Sequence, residues 1–151
     1  MLRSQLGDAL KDAVRSKDQR AVLTIRLILA ALKDRDICAR GKGNTEGIEE
    51  ADILSMLQSM VKQRQESIAL YEQGGRLELA EREQEEIGVI QRFLPEPMSG
   101  EELHQAVSDT IAEVDAHGLK DMGRVMASLK QRFPGRMDFC QASAVARGHL
   151  V

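Results

Sequence analysis

The sequence predicts an all-α protein, with an N-terminal domain of about four helices followed by a small three-helix C-terminal module. Three observations lead there. Apolar residues return every three or four positions along nearly the whole chain, and no stretch alternates with the period of two that a half-buried strand needs. Aromatics make up 3% of residues, with no Trp, one Tyr and three Phe, while Leu, Ile, Val, Ala and Met are plentiful and 30% of residues are charged. That balance favours helices over strands. Pro95 and Pro97 stand together and cannot continue a helix, so the natural division is 1–94, a connector over 95–98, and 99–151. A chain of 151 residues buries roughly 68 to 70% of its unfolded surface, enough for a core without disulfide or cofactor.

The elements follow in order. Leu2, Leu6, Ala9, Leu10, Ala13 and Val14 recur at helical spacing and give a first amphipathic helix that fades near Ser16-Lys17-Asp18. A second helix runs from about Asp18 to Arg40, and its residues 21–32 are apolar on nearly every side, which predicts the centre of the N-terminal core. Gly41-Lys42-Gly43-Asn44 stops it. From about Glu49, Ile53, Leu54, Leu57, Met60, Val61, Ile68 and Tyr71 define a long third helix ending at Gly74-Gly75. Ala80, Ile87, Ile90, Phe93 and Leu94 mark a fourth, closed by Pro95-Glu96-Pro97. Ser99-Gly100-Glu101-Glu102 then reads as a capping box, opening a helix of Leu103, Val107, Ile111 and Val114 that reaches about His117-Gly118. Met122, Val125, Met126, Leu129 and Phe133 form the next, and Asp138 caps a last one holding Phe139, Ala142, Val145 and Leu150.

A net charge of −3 conceals an asymmetry. Residues 1–45 carry ten Lys/Arg against five Asp/Glu, residues 46–102 carry five against fourteen, and residues 103–151 carry six against five. Charge of this kind mostly forms compensating faces, but a basic front also steers toward phosphates. Cys38 and Cys140 stand far apart with no partner motif, which argues for a reducing compartment. The N-terminus shows no secretory core, and the apolar run Ala21 to Leu32 is too short to span a bilayer. The expected location is cytoplasmic, with no membrane partner.

Candidate chemistry is sparse. Ser143 with His149, and Cys38 beside Asp36, lack a nucleophile motif, so no catalytic residue is expected. His104, His117 and His149 show no zinc spacing with the cysteines, and no metal or other cofactor is expected. Glu81, Glu83, Glu85 and Glu86 are read as fanning around a solvated face. Gly41-Lys42-Gly43 lacks the rest of a P-loop, and no small-molecule substrate is evident.

The basic residues carry more. Arg26 is the only charge in 21–32, and a structural pair with a carboxylate such as Glu72 or Glu86 is preferred over an anion-binding role. Arg26, Lys33 and Arg40 are seven apart and form one stripe along the second helix. Lys62 and Arg64, flanked by Gln58, Gln63 and Gln65, are a second group suited to phosphate and sugar contacts, although pairs such as Lys62 with Glu66 are the plainer alternative. Lys120, Arg124, Lys130, Arg132 and Arg136 are the third. With so few aromatics, RNA binding would rest on backbone charge and shape rather than base stacking.

The segments Lys120-Asp121-Met122-Gly123-Arg124-Val125-Met126 and Phe133-Pro134-Gly135-Arg136-Met137-Asp138 resemble the C-terminal helical module of the GatB/YqeY family. Thr24-Ile25-Arg26-Leu27-Ile28-Leu29-Ala30-Ala31-Leu32-Lys33, Met60-Val61-Lys62-Gln63-Arg64-Gln65-Glu66-Ser67-Ile68 and Ile90-Gln91-Arg92-Phe93-Leu94-Pro95 extend the resemblance, in order, to free-standing YqeY-type proteins. The resemblance implies an N-terminal helical domain joined to the small module, and a link to the glutamine-dependent tRNA amidotransferase, a carbon-nitrogen ligase with glutamine as amide donor. In that enzyme the module grips tRNA as the tail of the B subunit, and the transfer chemistry belongs to other domains and subunits. The chain is therefore expected to bind tRNA or a tRNA-handling enzyme without being catalytic alone. Family members commonly place a lysine close to Ser143 and more basic residues at the end, where this chain has Phe139-Cys140-Gln141-Ala142-Ser143 and Ala146-Arg147-Gly148-His149-Leu150-Val151. The alternative reading is a helical protein-protein adaptor that binds no nucleic acid, with Met56, Met60, Met122 and Met126 as an adaptable surface.

Overall fold

The computed structural model describes all 151 residues and contains only helices and their connections. It divides into two compact units, Met1–Leu94 and Pro95–Val151. The first holds α1 (Leu2–Arg15), α2 (Gln19–Gly41), α3 (Glu50–Gln73) and α4 (Leu77–Gln91). The second holds α5 (Gly100–Glu113), a 3₁₀ turn over Leu119–Asp121, α6 (Met122–Arg132) and α7 (Phe139–Leu150).

In the first unit, α3 and α4 form a hairpin, and α2 packs on α1, α3 and α4. Leu6, Ile28, Leu57 and Ile90 meet in its core and lose essentially all solvent contact. Each contributes about 1.5–3 kcal/mol of transfer free energy. A satellite cluster of Ala13, Ala21, Ile25 and Val89 closes the junction of α1, α2 and α4, where small residues allow close approach. The expectation that residues 21–32 lie at the centre of the core is corrected. Ala21, Thr24, Ile25, Ile28 and Leu32 are buried, whereas Leu23, Leu27 and Ala30 face solvent. With neighbours on one side only, α2 has more apolar surface than its unit can cover.

Four helices end in the same way. After α1, the Asp18 N–H reaches the Ala13 carbonyl at 3.0 Å and the Lys17 N–H reaches Val14 at 3.2 Å, with Lys17 at φ 60°. These two bonds make a Schellman motif, whose left-handed position favours glycine. Gly43 after α2, Gly75 after α3 and Asp115 after α5 occupy the equivalent place. The last of these ends α5 earlier than the expected His117-Gly118. A Cβ on Gly75 would meet no atom within 4 Å, so Gly75→Ala carries only the conformational penalty and is expected to destabilise by about 1 kcal/mol. Lys17→Gly is expected to stabilise by a similar ~1 kcal/mol, read by chemical or thermal unfolding.

A polar clasp joins α1, α2 and the segment before α3. Arg3 donates to both Asp36 carboxylate oxygens, Nη1 to Oδ2 at 2.7 Å and Nη2 to Oδ1 at 2.8 Å. The Ile48 N–H donates to Oδ1 at 2.9 Å, and Arg3 Nη2 returns to the Ile48 carbonyl at 3.0 Å. Gly47, at φ 93°, lets these groups close, because a Cβ there would stand 2.7 Å from Arg3 Nη2. The Arg3 guanidinium and then the Ile48 N–H hold the Asp36 carboxyl down from 3.8 to about 2. Folding thus favours the charged form, and its stabilisation is present above pH 3.8 and lost as pH falls through about 2. Arg3 is 42% exposed, so the pair is screened. Asp36→Asn is expected to cost about 1 kcal/mol near neutral pH and to flatten the acid limb of the stability profile.

In the second unit, Val107, Val125, Leu129, Ala142 and Ala146 form the centre, with α5, α6 and α7 in mutual contact. Ser99 Oγ accepts from the Glu102 N–H at 3.2 Å, the first half of the expected capping box, while the Glu102 carboxylate lies 3.8 Å from Arg136. Asp138 caps α7 through the Cys140 N–H at 2.8 Å. Lys120 and Asp121 fall in the 3₁₀ turn rather than in α6.

Candidate nucleic-acid interface

The cations of the C-terminal unit divide by what holds them. Arg132 Nη1 donates to Glu113 Oε2 at 2.6 Å, joining α6 to α5, and its guanidinium lies 5.3 Å from the Phe133 ring centre. Arg136 donates through Nε to the Glu96 carbonyl at 3.2 Å. Arg124 donates to Asp121 at 2.8 Å and to the Val114 carbonyl at 3.0 Å, tying α6 to the end of α5. The Asp121 carboxyl also accepts from the His117 N–H at 3.0 Å, and that bond, followed by Arg124, holds it below the usual carboxylate range.

Lys120 and Lys130 are placed differently. Both are exposed, and neither ammonium has a carboxylate within salt-bridge distance. Lys130 Nζ rests 5.9 Å from the centre of the Phe139 ring, which steadies it without neutralising it. Between them the outer side of α6 carries Gly123, Ala127 and Gln131, all exposed and repeating at i, i+4 and i+8. At Gly123 the backbone is open, since a Cβ there would touch nothing within 4 Å. The result is a low, uncluttered helix face with Lys120, Arg124 and Lys130 at its rim. Such a face admits a backbone at close range and supplies donors for its phosphates.

The other predicted groups fare unequally. Arg64 projects from α3 into the seam with α4, where its Nε donates to Glu86 Oε2 at 3.0 Å and lies 3.9 Å from Glu83. Its Nη1 also donates to the Met60 carbonyl at 3.2 Å. Only 14% of the Arg64 side chain is exposed, so it works as an interhelical brace. Lys62, two residues earlier, is exposed. The four glutamates do not simply fan into solvent, which corrects that expectation. Glu83 and Glu86 converge on Arg64, and Glu85 accepts from Arg20 at 3.0 Å. Desolvation, and then the neighbouring Glu86 charge, raise the Glu83 carboxyl above its usual value.

Arg26 pairs with neither Glu72 nor Glu86, a second correction. It lies on the outward side of α2 with Lys33, where a cation in water needs no partner. Cys38 and Cys140 are both exposed, and neither is in a disulfide. No helix is long and apolar enough to cross a membrane. Sequence reasoning missed the Arg3–Asp36 clasp and the Arg20–Glu85 bridge, because helical periodicity does not say which polar faces meet.

Comparison with known proteins gives a family and several relatives. The family model described as "Yqey-like protein" matches residues 3–150. The chain is 32% identical over 113 residues, 74% of its length and 58% of the relative's, to "Altered inheritance of mitochondria protein 41, mitochondrial" of Lachancea thermotolerans. The protein of that name in Pyrenophora tritici-repentis is 32% identical over 128 residues, covering 82% of this chain and 68% of the relative. The one in Saccharomyces cerevisiae is 30% identical over 99 residues, covering 65% and 51%. The chain thus spans between about half and two-thirds of the length of these relatives.

Proposed function

Since the chain belongs to the YqeY-like family, we propose that it binds tRNA, alone or with a tRNA-handling enzyme, through the outer face of α6, and performs no chemistry by itself. The observation that carries this reading is the open Gly123 and Ala127 face rimmed by Lys120, Arg124 and Lys130. Cations without carboxylate partners retain their full attraction for phosphate, whereas Arg132 and Arg136 are already engaged. Lys120 and Lys130 therefore carry the phosphate contacts, and Arg124, anchored by Asp121, presents the rest of its fork. Arg132, Arg136 and Arg64 serve the fold. Recognition follows backbone charge and shape, because that face offers no exposed aromatic ring.

The resemblance to the amidotransferase tail supports the same RNA class and supplies the partner enzyme, a carbon-nitrogen ligase that takes its amide nitrogen from glutamine. In this reading the protein presents or holds tRNA, and the ligase activity resides in the partner. The two exposed thiols favour a reducing compartment, the cytoplasm; the fungal relatives are named as mitochondrial.

Reversing both Lys120 and Lys130 to Glu in the full chain is expected to weaken binding of total tRNA about tenfold or more in fluorescence anisotropy, while the unfolding temperature falls only by the small amount that the lost Lys130–Phe139 contact accounts for. Both side chains lie outside the carboxylate network, so a loss of affinity reports the contact and not the fold. Undiminished tRNA binding by that variant would reject the assignment. Amidation of a mischarged tRNA by the purified protein and glutamine alone would overturn the non-catalytic reading.

A further inference from the structure

The outward side of α2 has a pattern that RNA binding does not use. Positions 23, 27, 30, 34 and 37 are separated by four, three, four and three residues, the spacing of a heptad seam. Leu23, Leu27 and Ile37 on that seam are 53%, 48% and 54% exposed, and Ala30 and Asp34 are exposed as well. Arg26, Lys33 and Arg40 repeat every seven residues along one edge of it, all exposed. At its N-terminal end the seam opens into a shallow depression of about 420 Å³, where Val14, Val22 and Leu23 form the apolar wall and Lys17 and Arg26 stand at the rim.

We propose that this face docks an amphipathic helix of a partner protein, whose apolar stripe packs on Leu23, Leu27, Ala30 and Ile37 and whose flanking acidic residues meet Arg26, Lys33 and Arg40. Burying three large aliphatic side chains is favourable only against an apolar partner, and a phosphate backbone offers none. The cationic edge then selects for charge, as flanking positions do in paired helices. An apolar anchor entering the depression beside Val14 completes the fit at one end. Asp34, the single acid in the seam, fixes the register by requiring a basic or amide residue opposite it. A second copy of this face is a poor occupant, because antiparallel pairing of two α2 seams sets cation against cation. RNA is a poor occupant too, since the seam between the cations is aliphatic.

The probe is a synthetic helical peptide of about three heptads, with leucine at the seam positions, glutamate at the flanks and lysine opposite Asp34. Its control carries lysine in place of each glutamate. Titrated against the full chain, the acidic peptide is expected to bind at least tenfold more tightly than the basic one. It is also expected to lose at least tenfold in affinity to the Leu27→Ser variant and to the Arg26→Glu, Lys33→Glu variant. These side chains are exposed, so unfolding temperatures stay near that of the parent, and amide exchange on the parent slows along α2 when peptide binds. Failure of the acidic peptide to bind, or equal binding to the Leu27→Ser variant, overturns the proposal. So does a dimer in sedimentation that Leu27→Ser dissociates, which assigns the face to a second copy. A loss of tRNA affinity in Arg26→Glu, Lys33→Glu but not in Leu27→Ser assigns it to RNA and overturns it equally.

Discussion

Replacing Arg64 by methionine is expected to destabilise the N-terminal unit by about 3 kcal/mol, the largest loss from any single charged residue in the chain. The substitution keeps the volume of the stem and removes the charge. It leaves Glu86, only 14% exposed, and Glu83 facing each other across the seam of α3 and α4 without a cation between them. The two carboxylates are not equivalent. Glu86 accepts directly from Arg64 at 3.0 Å, so Glu86→Gln in the parent is expected to cost part of that stability. Glu83 lies 3.9 Å away, and burial and the Glu86 charge push its carboxyl upward. Its folded form holds a proton more firmly than its unfolded form, so its contribution to stability falls as pH rises from 4.5 through the raised value. Glu83→Gln is therefore expected to be neutral or stabilising at pH 7 and to restore part of the loss in the Arg64→Met background. Denaturant unfolding of the four variants measures the coupling. An Arg64→Met protein as stable as the parent would show that the brace contributes nothing.

Leu129→Ala is expected to have a comparable effect in the other unit, about 3 kcal/mol, for a different reason. Leu129 is fully buried in one cluster with Val107, Val125 and Ala146, so truncation opens a cavity in a core whose ten buried residues include only three leucines. A unit spanning residues 95–151 has a total stability of only about 3–9 kcal/mol by size. The expected result is near-complete loss of amide-exchange protection in α5, α6 and α7, with protection in α3 and α4 retained. tRNA binding should be lost together with it. Full protection of α6 in that variant would contradict the packing described here.

Most of the helices were legible in the sequence because one period governs them. Leu6, Ile28, Leu57, Val107 and Leu129 all come from that pattern, and the stops at Gly43 and Gly75 come from residues that tolerate the left-handed position. The end of α5 was read late because Asp115, not a glycine, occupies its left-handed position. The pairing of polar faces was not legible. Nothing local distinguishes Arg64, which turns inward onto Glu86, from Arg26, which turns outward, since both lie in helices with apolar neighbours on several sides. The orientation depends on which helix packs where. The same uncertainty hid the exposed seam of α2, whose leucines read as core until the three packing partners of that helix were known.

The most direct measurement is the affinity of the full chain for total tRNA across a salt series, run beside the Lys120→Glu, Lys130→Glu variant. The expected result is an affinity that falls linearly on logarithmic axes, with a slope reduced by about 2 in the variant, one for each phosphate contact removed. An affinity independent of salt, a slope unchanged by the two substitutions, or no binding at about 50 mM salt would contradict tRNA recognition by α6.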